Sequence, residues 1–256
     1  MARRIRKPGE FCWINMLTPS PDKAREFFAE LFGWTFVAMP QFAGYSIKLA
    51  GSDMGAMYDV NGPQTPKGTP PHIGVMVKVH SADAAAEKVK SLGGSVKFVM
   101  DIGQNLRIAC CVDPDGAGID LWDPKIAHGT DVDGGEHGAI NWFELITRDP
   151  IRAAKFYGGV FGWTTQAMPS PGVDYTVFNL DGAGVAGMLK MTPEMGSMPQ
   201  QWATYFTVRD AEQSARDAIK LGGKICMPMK QVPQVGKIVG IESPQGVWFY
   251  IIQHMM

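Results

Sequence analysis

The chain has 256 residues, of which 45% are hydrophobic and 19% are charged, and its formal net charge at pH 7 is −1. This length predicts about two domains with ordinary packed cores, and the charge balance predicts no nucleic acid and no membrane surface among the partners. No apolar stretch is long enough to span a bilayer, and no apolar run follows the basic residues 1–8, which therefore do not read as a signal peptide.

The first predicted element is a strand from Glu10 to Leu17 whose two faces differ in composition. Cys12, Ile14 and Met16 form a wholly apolar face that suits packing against helices. The alternate residues form a face with one polar group among large apolar side chains: Phe11, Trp13, Asn15 and Leu17.

A helix is predicted next, because Ser20 precedes a proline at the first helical position and Gly33 follows the last periodic residue. Its apolar residues recur at i, i+3, i+4, i+7 and i+8 and so share one face: Ala24, Phe27, Phe28, Leu31 and Phe32. Short strands near 35–39, 45–49 and 55–58 follow, and then a loop rich in proline and glycine.

A second β-α-β-β-β unit begins at His72, where apolar residues alternate with a period of two. A helix from about 82 to 92 stops at two glycines. The unit is completed by strands near 95–99, 107–112 and 118–122, the last after the turn Asp113-Pro114-Asp115-Gly116.

The second half repeats the first, since Trp142 follows Trp13 and Gln201 follows His72 with the same offset of 129. The sequence thus predicts a tail (1–8), a first module (9–123), a linker (124–137) and a second module (138–256). The predicted fold class is α+β, with four βαβββ units in two tandem modules.

Three features of the sequence are shared with a known family: the repeated helix ends (Phe27 to Trp34 and Phe156 to Trp163), the strand at 72–77, and Asp120 after its turn. In these features the sequence resembles the vicinal oxygen chelate superfamily. That family includes glyoxalase I, bleomycin-resistance proteins, fosfomycin-resistance enzymes and extradiol dioxygenases. The resemblance, which covers residues 9 to 253, implies that each module curls a mixed sheet into a cup with helices outside. A ligand or a metal ion is then expected in the cup, although one fold hosts many chemistries.

In metal-dependent members of that family, a module supplies ligands from its first, fifth and eighth strands. The matching positions, first module and then second, are Trp13, His72, Asp120, Trp142, Gln201 and Tyr250. Tryptophan cannot ligate a metal ion, so the second module is expected to lack a site. His72 and Asp120, completed by Asn15 or water, could hold Zn, Ni, Fe or Mn in the first module. A hydrogen-bonded pair of His72 and Asp120, or a bond from either to a ligand, is the favoured interpretation.

The strand face that carries Trp13 and Trp142 predicts a pocket for an organic ligand, with core packing as the alternative. Each indole lies two residues from a polar side chain, Asn15 or Glu144, as is typical of such pockets. Further ligand-binding candidates are Tyr45, Tyr175, Gln201, Tyr205 and Tyr250. Glu144 beside an indole is predicted to have a raised pKa, which suits a general acid or base, and the candidate catalytic residue is either Glu144 or His72. The alternative for Glu144 is a salt bridge at the rim.

The resemblance, taken with these residues, implies a protein that binds or transforms a small apolar or aromatic molecule without a metal ion, and we expect a cytoplasmic monomer or homodimer. The four cysteines lack Cys-x-x-Cys spacing and do not match between the repeats, which argues against a disulfide framework. Two alternatives stay open. One is a metal-dependent lyase, isomerase or dioxygenase of glyoxalase I or extradiol type that uses His72 and Asp120. The other is a non-catalytic interaction scaffold.

Overall fold

The computed structural model describes residues 5–63, 65–170 and 173–255 and contains two eight-stranded sheets, one for each sequence repeat. The elements of the first repeat are β1 (Phe11–Thr18), α1 (Pro21–Phe32), β2 (Thr35–Met39), β3 (Gly44–Leu49), β4 (Ser52–Asp59), β5 (His72–Lys78), α2 (Ala82–Ser91), β6 (Ser95–Ile102), β7 (Leu106–Val112) and β8 (Gly118–Pro124). Those of the second are β9 (Ile140–Thr147), α3 (Pro150–Phe161), β10 (Thr164–Ser170), β11 (Val173–Leu180), β12 (Ala183–Lys190), β13 (Gln201–Thr207), α4 (Ala211–Lys220), β14 (Lys224–Val232), β15 (Gly236–Glu242) and β16 (Trp248–His254).

Both sheets have the same strand order, β2-β3-β4-β1-β5-β8-β7-β6 in the first and β10-β11-β12-β9-β13-β16-β15-β14 in the second. Their central strands, β1 with β5 and β9 with β13, are antiparallel, whereas β1–β4 and β5–β8 are parallel. Mixed sheets built from two βαβββ units each confirm the predicted α+β fold.

The repeated helices end as predicted but begin differently. Gly33 and Gly162 both adopt the left-handed conformation, with φ of 71° and 76°, which ends each helix without strain on a Cβ. Asp149 accepts a hydrogen bond from the Arg152 amide at 2.9 Å and so caps α3. The Ser20 side chain makes no capping bond to α1, which leaves Pro21 as the start signal.

The helical faces of the two sheets share one hydrophobic core, in which α1 contacts α4 and α2 contacts α3. The tryptophan after each repeated helix crosses between the modules. Trp34 donates from its indole nitrogen to the Gly138 carbonyl at 2.8 Å, and Trp163 donates to the Gly9 carbonyl at 2.8 Å. The Gly-Trp signature therefore fixes one module to the start of the other.

The predicted faces of β1 are wrong at its first residues. The register with β5 shifts between Phe11 and Trp13, which is a β-bulge and reverses the alternation of side chains there. Phe11 therefore stacks on Phe143 in the core between the modules, with ring centroids 4.2 Å apart. Cys12 packs with Met76 on the face opposite the helices. Hereafter this opposite face is called the first cup in the first sheet and the second cup in the second sheet.

Candidate functional site in the second cup

The second cup brings aromatic and polar side chains from three central strands to one place. In the ladder, Tyr205 on β13 pairs with Trp142 on β9 and with Tyr250 on β16, and the neighbouring Ala203 pairs with Glu144. Apolar side chains surround them: Ile146, Met191, Met195, Met198, Ile238 and Ile252. The predicted Gln201 lies on the same strand, half-buried, opposite Ile146.

Glu144 is the centre of a connected chain of hydrogen bonds. Its side chain is only 7% exposed, and its Oε1 accepts a bond from the Tyr205 hydroxyl at 2.8 Å. The Tyr175 hydroxyl bonds to the same carboxyl and accepts a bond from the Trp142 indole nitrogen at 3.0 Å. The Tyr205 ring stacks on Tyr250, with centroids 4.7 Å apart and planes 17° apart. Five of the residues predicted from the sequence thus form one assembly with an acid at its centre: Trp142, Glu144, Tyr175, Tyr205 and Tyr250.

Burial raises the pKa of Glu144, and the hydroxyls of Tyr205 and Tyr175 offset that rise only in part. Within the described residues the carboxyl is bonded to hydroxyls, and the salt bridge considered from the sequence is not formed. Burial also raises the pKa of Tyr205 and Tyr175, and that of Tyr250 to about 12. The carboxyl is therefore the group of this assembly that ionises at the lowest pH.

Tyr45 lies on the other face of its sheet, so its predicted position in a cup is wrong. Its hydroxyl bonds to the Asp22 carboxylate on α1, and the Arg25 guanidinium lies 5.2 Å from its ring centroid. The reason is the spacing of the two tyrosines: Ile47 pairs with Gly55 as Phe178 pairs with Ala186, an offset of 131, whereas Tyr45 and Tyr175 are 130 residues apart and so lie on opposite faces. Two extra residues in the second hairpin make Tyr175 the counterpart of Gly44, and Tyr45 the counterpart of Thr176.

The first cup holds an aromatic pair but no counterpart of the Glu144 assembly. The Trp13 ring packs on Trp122, with centroids 5.1 Å apart, beside Cys12 and Met76. Asn15, at the position of Glu144, directs its amide to the Met76 sulfur at 3.5 Å. The sequence reasoning missed Trp122, although it lies two residues after Asp120 on the same strand and therefore on the same face.

The expected pairing of His72 with Asp120 is not formed. Asp120 pairs with Met76 in the parallel ladder, and Met76 is four residues, about 13 Å, along the strand from His72. The His72 Nδ1 atom lies 2.9 Å from the Pro70 carbonyl oxygen. Asp120 instead accepts bonds from the Cys110 thiol and the Cys111 amide, and burial raises its pKa to about 6.

The donors of the first cup do not fit a divalent metal ion, which needs three or four converging ligands. Across the part of the chain that the structure describes, no three His, Cys, Asp or Glu side chains are grouped so as to hold one.

The same described residues include no helix long and apolar enough to cross a bilayer.

Trp13 and Trp142 also border a cleft of about 260 Å³ between the modules. Arg6, Asn141 and Asp181 contribute polar groups to it. Each indole thus borders this cleft as well as packing in its own cup.

Comparison with known proteins agrees with this architecture. The profile of the Glyoxalase/Bleomycin resistance protein/Dioxygenase superfamily matches residues 11–121 and 139–251. The chain belongs to this superfamily. The resemblance drawn from the repeated motifs is therefore confirmed, with one match for each module.

Two relatives match almost the full length of this superfamily member. "Putative glyoxylase CFP32" from Mycobacterium bovis is 32% identical over 246 residues, 94% of this chain and 93% of the relative. "Anthracycline biosynthesis protein DauV" from Streptomyces sp. (strain C5) is 27% identical over 260 residues, 96% of this chain and 94% of the relative. The Mn(II)-bound glyoxalase from Novosphingobium aromaticivorans has a TM-score of 0.68 at 14% identity, over 98% of this chain and 83% of that structure. The last similarity supports the fold alone.

Proposed function

We propose that the second cup binds a small, largely apolar or aromatic organic molecule and that Glu144 exchanges a proton with it. The observation that carries this proposal is the Glu144 carboxyl, buried among apolar and aromatic groups and bonded to two tyrosine hydroxyls. Pockets of this composition, apolar with a few convergent polar groups, are typical of organic ligands.

The side chains around the acid suit a planar ligand. Trp142, Tyr175 and Tyr250 are each half-buried aromatic residues, a type of side chain that binds planar molecules well. Tyr175 bonds to both Trp142 and Glu144, and its hydroxyl can pass a proton between the open part of the cup and the buried carboxyl. Because its pKa is raised, the Glu144 carboxyl keeps its proton to a higher pH than an exposed glutamate does, which suits proton exchange with a ligand.

The proposed chemistry uses no metal ion. Indole rings lie at the first-strand positions of both modules, and the His72 and Asp120 donors do not converge. The four cysteines are all free, which supports a reducing compartment such as the cytoplasm as the place of action.

Calorimetric titration with 2-naphthol, a planar and weakly acidic aromatic compound, tests this proposal. One site is expected, and Glu144→Gln, which keeps the size of the side chain, is expected to weaken binding about tenfold, or roughly 1.4 kcal/mol. Asn15→Ala changes the same position of the first module and is the matched control, with no expected effect. Equal weakening by both variants, or no binding to the wild type, would refute the proposal.

A further inference from the structure

The loop between β12 and β13 covers part of the second cup with methionines. Met191, Met195 and Met198 pack on the cluster that contains Ile146 and Tyr205. Residues 191–199 are called the methionine loop below. Methionine side chains are unbranched and flexible, so they can adapt to ligands of different shape. Where these side chains lie over the cup depends on how the backbone of the loop is held.

Arg148 holds the backbone of this loop from the end of the strand that carries Glu144. Its guanidinium donates to the Gly196 carbonyl at 2.9 Å and to the Met198 carbonyl at 3.0 Å. Arg148 follows Thr147, the last residue of β9. The methionine loop and the buried acid are therefore fixed to the same strand.

Gln200 joins this strand end to the other module. Its Oε1 accepts bonds from the Arg148 amide at 2.7 Å and from the Thr147 hydroxyl at 2.5 Å. Its Nε2 donates to the Asp115 carbonyl at 3.0 Å, in the first module.

The turn that receives this bond is itself firmly held. Asp113 Oδ1 accepts bonds from the Asp115 and Ala117 amides at 2.9 and 2.8 Å. The Arg152 guanidinium, on α3, pairs with the Asp115 carboxylate through two nitrogens. The Gln200 amide is therefore bonded to a rigid point of the first module.

The sequence at the matching place in the first module is different. With the offset of 129, Gln200 corresponds to Pro71, whose side chain has no hydrogen-bonding group, and residues 60–71 contain no methionine. Pro71 instead packs beside Gly246 of the second module. Within the residues that the structure describes, the methionine loop and the glutamine bridge thus lie beside the cup that contains Glu144.

We propose that Gln200 is a positioning residue through which the first module holds the methionine loop over the second cup and so sets which ligands fit there. The claim about ligands rests on the proposed function. The claim about the loop does not, because it can be measured without a ligand.

Amide hydrogen exchange of the methionine loop tests the positioning role. Gln200→Ala removes all three hydrogen bonds of this side chain and is expected to speed exchange of the loop amides about tenfold, which corresponds to roughly 1.4 kcal/mol. Gln200→Glu keeps the acceptor for Thr147 and Arg148 but loses the donor to Asp115, and an intermediate rate is expected. Gln231→Ala, an exposed glutamine on β14, is the control. Wild-type exchange in Gln200→Glu would overturn the role of the first module.

Calorimetric titration with phenol and with 2-naphthol tests the effect on ligands. In Gln200→Ala the preference between the two probes is expected to shift about threefold toward the larger one, because a loosened loop leaves more room. An unchanged preference alongside faster loop exchange would overturn the selectivity claim. If neither probe binds the wild type, the proposed function fails, whereas the exchange rates still decide whether Gln200 holds the loop.

Discussion

Replacing Tyr205 by phenylalanine isolates the hydrogen bond that supports the buried acid. The substitution removes a hydroxyl that donates to Glu144 Oε1 at 2.8 Å, and it keeps the ring that stacks on Tyr250. A bond to a charged group contributes about 1.5–3 kcal/mol and a bond between neutral groups about 0.5–1.5 kcal/mol. The loss of unfolding free energy should therefore be near the larger range where Glu144 is ionised and near the smaller range where it is protonated.

The direction with pH follows from the raised pKa of Glu144. Because its folded-state pKa lies above the unfolded value, its contribution to stability is fully present below the unfolded pKa and is lost as pH rises through the folded pKa. The Tyr205 hydroxyl lowers the pKa of Glu144, so removing the hydroxyl raises that pKa further. The difference in unfolding free energy between Tyr205→Phe and the wild type should therefore increase with pH.

Urea unfolding of Tyr205→Phe across the pH range measures this gap. Tyr250→Phe removes the hydroxyl of the other ring in the stacked pair and is the matched control, because within the described residues that hydroxyl does not bond to Glu144. A loss in Tyr205→Phe that is independent of pH, or one equal to that of Tyr250→Phe, would refute the assignment of the bond to the charged carboxylate.

Three further results are expected. The glutamine in Glu144→Gln cannot ionise, so the unfolding free energy of this variant should rise relative to that of the wild type as pH rises through the raised pKa of Glu144. Urea unfolding at several pH values checks this. Tyr157→Phe should lose about 1–3 kcal/mol of unfolding free energy, because it leaves the buried Asp113 without the hydroxyl bond of 2.9 Å, and Phe28 at the matching position of α1 shows that the ring alone packs. Dialysis against EDTA should leave the Tm and the affinity for 2-naphthol unchanged, and a stoichiometric metal lost in His72→Ala would contradict this.

Hydrophobic periodicity predicted the helices and strands of this fold well, because the sequence pattern of each element occurs twice in the chain. The helix ends at Gly33 and Gly162 and the strand from His72 all lie where the pattern placed them. Strand parity is less secure, because one extra residue reverses it. The bulge at Cys12 moved a predicted side chain to the opposite face. Tyr45 and Tyr175 are 130 residues apart where the repeat offset is 131, which places these two tyrosines on opposite faces.

The sequence predicted which side chains share the candidate site where those side chains lie on regular central strands. Glu144, Trp142, Tyr205 and Tyr250 share one face because β9, β13 and β16 keep their register there. The methionine loop could not be predicted, since irregular backbone has no period to place its side chains. The distance between His72 and Asp120 also depends on strand register, which the sequence of a single strand does not contain.

The central claim is that the second cup, with Glu144 at its base, is where this protein holds an organic molecule. A crystal structure of the protein grown with 2-naphthol tests it most directly. The account predicts electron density against Trp142 and Tyr250, with the naphthol oxygen within hydrogen-bonding distance of Tyr175 or Glu144. Density in the first cup or in the cleft between the modules, with the second cup empty, would contradict it.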